Sequence, residues 1–237
     1  MTKQSILVVD DHKEITELIY HYLVEFGFDV VTKNNPREVF AAVEQQKPDL
    51  VILDIMMPGM DGIEVCKELR KTSNLPILFL SSRKDDVDKV LALGVGGDDY
   101  ITKPFSPREL VARVQAHLRR NSLLLPLVQQ QPASLKFENM EIDPDTHIVT
   151  AYGNTINLSA KEFDLLFQLA SYPNRLFNSE QLFEIIWGGD SLGDLRTVMV
   201  HLSTLRRKIE KDPANPAFIS TIRGVGYKFI GQPQGQD

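Results

Sequence analysis

The sequence predicts two folded units in series: a doubly wound α/β domain built on a five-stranded parallel sheet, then a smaller α+β domain. Three observations carry this. The length of 237 residues suits one large or two modest domains at about 150 residues each. Across 1–120, short apolar runs alternate with segments of helical period, the pattern of an α/β domain. At 121–134, NSLLLPLVQQQPAS, a glutamine run and two prolines break that alternation and read as a linker, and 135–237 resumes with a different rhythm.

Element by element, Ser5–Val9, Asp29–Thr32, Leu50–Leu53, Pro76–Leu80 and Tyr100–Ile101 read as strands. Continuous apolar runs such as LVIL at 50–53 suit a sheet buried on both faces. Between them, His12–Phe26, Pro36–Gln46, Gly62–Lys71, Asp85–Leu93 and Pro107–Arg120 have helical period. Beyond the linker, 135–158 alternates in short pieces around Asp143-Pro144 and Gly153-Asn154, predicting a small antiparallel sheet. Ser159 with Glu162, and Asn178 with Gln181, are capping-box pairs that open two helices. A third helix spans about Leu195–Lys211 and stops before Pro213, and 218–230 reads as a hairpin turning at Arg223–Gly226.

Hydrophobic residues at 43% and charged residues at 24% are the balance of a folded globular protein. No stretch approaches the ~20 apolar residues of a membrane span, so no membrane partner is expected. The start runs straight into acid, unlike a secretory signal. A single cysteine, Cys66, excludes a disulfide framework and a thiolate metal site, and points to a reducing cytoplasm. The net charge of −6 taken whole argues against a polyanion partner, but its distribution reverses that. Residues 195–230 hold seven basic residues against two acidic, while 121–194 hold three against ten. Screening beyond ~10 Å makes the local block the relevant quantity.

In doubly wound folds, ligands sit at the carboxyl ends of the strands. There the sequence places Asp10 and Asp11 after strand one, Asp54 after strand three, Ser81 after strand four and Lys103 after strand five. Two carboxylates ~4 Å apart repel by about 4 kcal/mol at an effective dielectric of 20. Three that converge therefore need a cation or raised pKa values, and hard oxygen donors suit Mg²⁺. With a hydroxyl and an ammonium beside them, the group is equipped to cradle a phosphoryl group.

The set Asp10-Asp11, Asp54 with Pro58-Gly59, Ser81 and Lys103-Pro104 resembles the receiver domain of two-component response regulators, a flavodoxin-like fold, over nearly all of 1–120. The resemblance implies that Asp54 accepts phosphate from a histidine kinase. It implies that Asp11, Asp54 and the Met56 carbonyl hold Mg²⁺ directly, with Asp10 acting mostly through water, and that Ser81 and Tyr100 form a switch pair whose ring turns inward. A cis Lys103–Pro104 bond is expected. Ser82 replaces the family's usual alanine, and Met56 and Arg83 resemble positions that tune phosphate lifetime. A rival reading is a phosphohydrolase with Asp54 as nucleophile, but its second aspartate two residues on is here Met56. The chain is accordingly read as no enzyme beyond its own phosphotransfer and dephosphorylation. A third reading is an adaptor acting through protein partners alone, which the basic late helix disfavours.

On that late helix, Leu195, Val198, Leu202, Leu205 and Ile209 fall within an arc of about 80°. The opposite face carries Arg196, Val200, Ser203, Thr204 and Arg207. Residues 135–230 resemble the winged-helix effector domain of the OmpR/PhoB family. The resemblance is carried by Leu158-Ser159 with Glu162-Phe163, Trp187, Arg196-Thr197-Val198, Val200-His201, Leu205-Arg206 and Arg223-Gly224-Val225-Gly226-Tyr227. It implies double-stranded promoter DNA as partner, with Leu195–Lys211 as recognition helix and Thr221–Tyr227 as wing. Arg196, His201 and Arg206 then look like phosphate contacts; Val200, Ser203, Thr204 and Arg207 would face bases. Thr197, Thr221, Arg223 and Tyr227 complete the expected interface. The connector 188–194 is either a loop that touches RNA polymerase or a plain Gly/Asp turn. The resemblance also implies a phosphorylation-promoted homodimer through the fourth helix, fifth strand and fifth helix. Its expected intersubunit pairs are Lys89 with Glu109, Asp99 with Arg113 and Asp98 with Arg120, around Val90, Leu93 and Ala112.

Overall fold

The computed structural model describes residues 3–82, 85–118, 134–188 and 194–234. They fall into two compact units, 3–118 and 134–234. The expected linker at 121–134 and the connector at 188–194 lie almost wholly outside the described residues, and Arg83 and Arg120 lie outside them.

The first unit alternates β1 (Ser5–Val9), α1 (Lys13–Glu25), β2 (Asp29–Lys33), α2 (Glu38–Gln46), β3 (Leu50–Asp54), α3 (Gly62–Leu69), β4 (Ile77–Ser81), α4 (Asp86–Gly94), β5 (Asp99–Thr102) and α5 (Pro107–Leu118). All four strand pairings are parallel, in the order β2-β1-β3-β4-β5. Every residue of β3 and β4 is buried, the burial on both faces that their unbroken apolar runs require. On one face, Ile6, Val8, Leu50, Ile52, Leu78 and Leu80 pack with Ile19 and Leu23 of α1 and Leu110 and Val114 of α5. The order places β1 beside β3, so the chain reverses its winding direction there and opens a crevice at the carboxyl ends of those strands.

The second unit opens with an antiparallel sheet of β6 (Leu135–Phe137), β7 (Met140–Asp143), β8 (Ile148–Ala151) and β9 (Asn154–Ile156). Three helices follow: α6 (Ala160–Ala170), α7 (Ser179–Trp187) and α8 (Arg196–Ile209). An antiparallel hairpin, β10 (Ile219–Ile222) with β11 (Gly226–Phe229), ends the unit. Asn178 and Gln181 cap α7 reciprocally at 2.7 and 3.0 Å. Their polar atoms satisfy backbone donors that a helix start leaves open.

At the start of α6, Glu162 accepts the Ser159 N–H at 2.7 Å. The same carboxylate accepts a bond from Lys208 of α8 at 2.6 Å. A residue read from sequence as a local cap therefore also anchors the late helix. Glu210, just past α8, accepts the N–H groups of Ala217, Phe218 and Ile219 at 2.7, 3.0 and 3.0 Å, tying the start of the hairpin to the end of that helix. Phe177 and Tyr227 exchange backbone hydrogen bonds of 2.9 and 2.8 Å, which holds β11 against the segment leading into α7. A Cβ at Gly226 would lie 2.1 Å from the Phe177 carbonyl oxygen, so this close approach needs glycine.

Candidate functional site

Ordinary strand geometry brings the predicted acids together. Val9 pairs with Leu53 and Asp54 with Leu80, so Asp10, Asp54 and Ser81 emerge at one edge. Ser81 pairs with Thr102, which brings Lys103 to the same rim. Lys103 Nζ donates to Asp10 Oδ2 at 2.5 Å and to Asp54 Oδ1 at 2.8 Å, across the switch point between β1 and β3. Asp10, Asp54 and Ser81 are buried and Asp11 is partly exposed. The Lys103–Pro104 bond is cis, as expected.

Burial raises the Asp54 pKa above the usual carboxylate value; Lys103 opposes this, and the charges of Asp10 and Asp11 add to the rise. For Lys103, burial works against the charge, yet the bonds to Asp10 and Asp54 outweigh it and raise its pKa. One ammonium faces three carboxylates, so the rim retains excess negative charge beside an all-oxygen donor set. That is the environment of a hard divalent cation. The sequence reading named His12 only as the start of a helix, not as a ligand. Its Nδ1 lies 3.0 Å from Asp11 Oδ1, and Asp10, Asp11 and His12 bring ligand atoms within 4.8 Å of one another. The only signal for it was adjacency to the Asp pair.

Two receiver expectations change. Tyr100 is already buried, at 8% exposure, so the ring has little exposed surface left to lose by turning inward. The acids expected to bridge two subunits have partners in their own chain. Asp98 is fully buried and accepts from Arg70 at 2.7 Å and from the Ile77 N–H at 2.9 Å. Asp99 accepts from Arg113 Nη1 at 2.9 and 3.0 Å, and Arg113 also reaches Glu109 at 3.0 Å. Leu93 is buried too. A buried charge must find a partner inside its own fold, which sequence spacing alone does not reveal. Val90 is exposed, and Lys89 and Ala112 are partly so.

The face of α8 also differs from expectation. Val198, Leu202, Leu205 and Ile209 are buried as predicted, whereas Leu195 is exposed. His201 is fully buried with its ring centroid 5.4 Å from that of Trp187, so it does not reach a phosphate. Thr197 and Thr204 are buried as well. Arg206 donates to the Ile219 carbonyl at 3.0 Å and to Thr221 Oγ1 at 2.6 Å, and its guanidinium carbon lies 5.8 Å from the Tyr227 ring centroid. It braces helix and hairpin before any ligand arrives. What α8 exposes is Arg196, Met199, Ser203 and Arg207, with Val200 half-buried at the flank. Arg223 is exposed at the turn of the hairpin. Met199 was missed because it falls between the apolar arc and the polar face on an ideal wheel.

The geometry has counterparts in known proteins. A response regulator receiver domain matches residues 6–115, and the C-terminal domain of transcriptional regulatory proteins matches 153–229. The DNA-binding response regulator MtrA of Mycolicibacterium paratuberculosis is 47% identical over 227 residues, covering 95% of this chain and 98% of the relative. The chain is a response regulator of the OmpR/PhoB family. Among solved structures, the OmpR/PhoB homologue DrrB of Thermotoga maritima is similar at 32% identity with a TM-score of 0.51, covering 97% of this chain and all of that one. A mutant of RitR, at 24% identity and a TM-score of 0.79 over 95% of this chain and 98% of its own, shares the fold. This response regulator is a two-component transcription factor with a receiver followed by a winged helix. Among its described residues, no helix is long and apolar enough to cross a membrane.

Proposed function

We propose that Asp54 is the phosphoryl acceptor and that its acylation drives receiver pairing and promoter binding. The observation that carries this is Lys103, whose ammonium joins Asp10 and Asp54 across the crevice. In transfer from a kinase phosphohistidine, the N–P bond breaks as an Asp54 Oδ–P bond forms. Lys103 is placed to neutralise charge on the phosphoryl oxygens, and the Ser81 hydroxyl to donate to one of them. Asp10, Asp11, Asp54 and the Met56 carbonyl are the residues that would hold Mg²⁺. Bound there, Mg²⁺ supplies further charge neutralisation on the same oxygens. Tyr100, next to Asp99 on β5, links this rim to the α4–β5–α5 face. On that face Lys89, Val90 and Ala112 are left to serve a second copy, while Glu109 already pairs with Arg113.

Two linked winged helices then bind adjacent half-sites with avidity. Arg196 is the proposed phosphate contact, with Ser203, Arg207 and Val200 toward the bases and Arg223, at the hairpin turn, toward the minor groove. The connector at 188–194 is proposed to meet RNA polymerase, and the compartment is the cytoplasm, where kinase output and promoter meet.

The test is phosphorylation of the full chain by an acyl-phosphate donor with Mg²⁺, read by intact mass, alongside sedimentation. Wild type is expected to gain one phosphoryl group and to self-associate. Asp54→Ala is expected to do neither. A wild type left unlabelled, or an equally labelled Asp54→Ala, overturns the acceptor assignment; labelling without association overturns the coupling.

A further inference from the structure

Met199 is the one large apolar side chain that α8 leaves exposed, at 52%. It lies in line with Arg196, Ser203 and Arg207 at helical spacings of three, four and four residues, so these side chains share one face. α8 itself holds no acidic residue, and the one acid at its start, Asp194 just before the helix, pairs with Arg196 at 2.6 Å. The face therefore presents two guanidinium groups, a small hydroxyl and a thioether. The burial of Thr204 turns the exposed arc away from the expected base-facing side and toward Met199.

We infer that Met199 is a specificity-determining residue that reads the C5-methyl group of a thymine in the major groove. This rests on the DNA-binding reading above and names the chemistry at one position of it. A face flanked by arginines is complementary to a polyanion, and the major groove offers an apolar side chain one apolar partner, the thymine methyl. The first turns of a recognition helix lie nearest the base edges, and Met199 is the fourth residue of α8. Its unbranched chain can adapt its reach to a methyl group in a way a β-branched side chain cannot. With Leu195 exposed four residues earlier, Met199 forms at most a pair of apolar side chains, short of the contiguous patch that docks another protein. Val200, half-buried on the other flank of the arc, is the competing reader.

The experiment uses the full chain with acyl-phosphate donor and Mg²⁺. A duplex is first selected from a random pool, then each thymine is replaced in turn by deoxyuridine, which removes only the methyl. At one position wild type is expected to lose about three- to fivefold in affinity, the worth of one buried methyl. In Met199→Ala the thymine-to-uridine ratio at that position is expected to fall to about 1, and in Val200→Ala it is expected to persist. No methyl-sensitive position, a ratio retained in Met199→Ala, or a ratio lost only in Val200→Ala each overturn the inference while the DNA-binding reading stands. Failure of wild type to select any duplex overturns both. Because Met199 is exposed, circular dichroism of the variant is expected to match wild type.

Discussion

Replacing Gly62 by alanine sets two physical effects of opposite sign against each other beside Asp54, the proposed phosphoryl acceptor. Gly62 opens α3, and on propensity alone alanine there stabilises by up to about 1 kcal/mol. The structure says otherwise. A Cβ at Gly62 would lie 2.2 Å from the Asp54 carbonyl oxygen and 3.0 Å from its carbonyl carbon and from Ile55 Cα. Against an ordinary carbon contact of about 3.5 Å the oxygen is roughly 1 Å too close, and both sides are backbone. Overpacking of this kind costs about 1–3 kcal/mol. Moving the turn also strains the Gly62 N–H bond to the Ile55 carbonyl, 3.0 Å long, a further ~1 kcal/mol. The clash outweighs propensity, leaving a net destabilisation of about 1–3 kcal/mol. Because the clash meets Asp54 itself, its carboxylate moves off Lys103. A displacement near 1 Å at a reacting group costs on the order of 10²-fold in rate. Urea unfolding followed by circular dichroism, with phosphorylation rates by intact mass, measures both. A variant as stable as wild type and labelled as fast would refute the reasoning.

Three further outcomes follow from the same geometry. Glu210→Ala strips acceptors from three hairpin N–H groups and is expected to destabilise the second unit by about 2–5 kcal/mol; calorimetry showing an unchanged transition for that unit contradicts the anchoring role. Burial alone would raise the Asp99 pKa, but Arg113, His117 and the Tyr100 N–H together hold it well below the usual range. A depressed carboxylate contributes stability that is present above its unfolded pKa of about 3.9 and is lost as pH falls below it. Stability between pH 5 and pH 3, about a unit on either side of that value, is therefore expected to fall less steeply in Asp99→Asn than in wild type. Arg196→Ala is expected to weaken DNA binding evenly across sequences and to lower the log–log salt slope by about 0.9; an altered base preference instead would mark Arg196 as a base reader.

The order of strands and helices, the gathering of Asp10, Asp54, Ser81 and Lys103 at one rim, and the basic late helix were all legible in the primary sequence. Each depends on a local signal: period, caps, or the rule that parallel strands present their carboxyl ends together. The partners of buried polar groups were not legible. Nothing near Asp98 in the chain indicates Arg70, which is 28 residues away, and nothing in an ideal helical wheel separates His201, packed against Trp187, from the exposed Met199. Glu162 reads as a cap and Glu210 as one acid in a basic block until α6, α8 and the hairpin are packed together. Local periodicity states which residues seek the interior, but desolvation acts on the assembled fold. Only when the elements pack does a charge become costly enough to require a particular partner, and only then is it settled which flank of a helix stays in water.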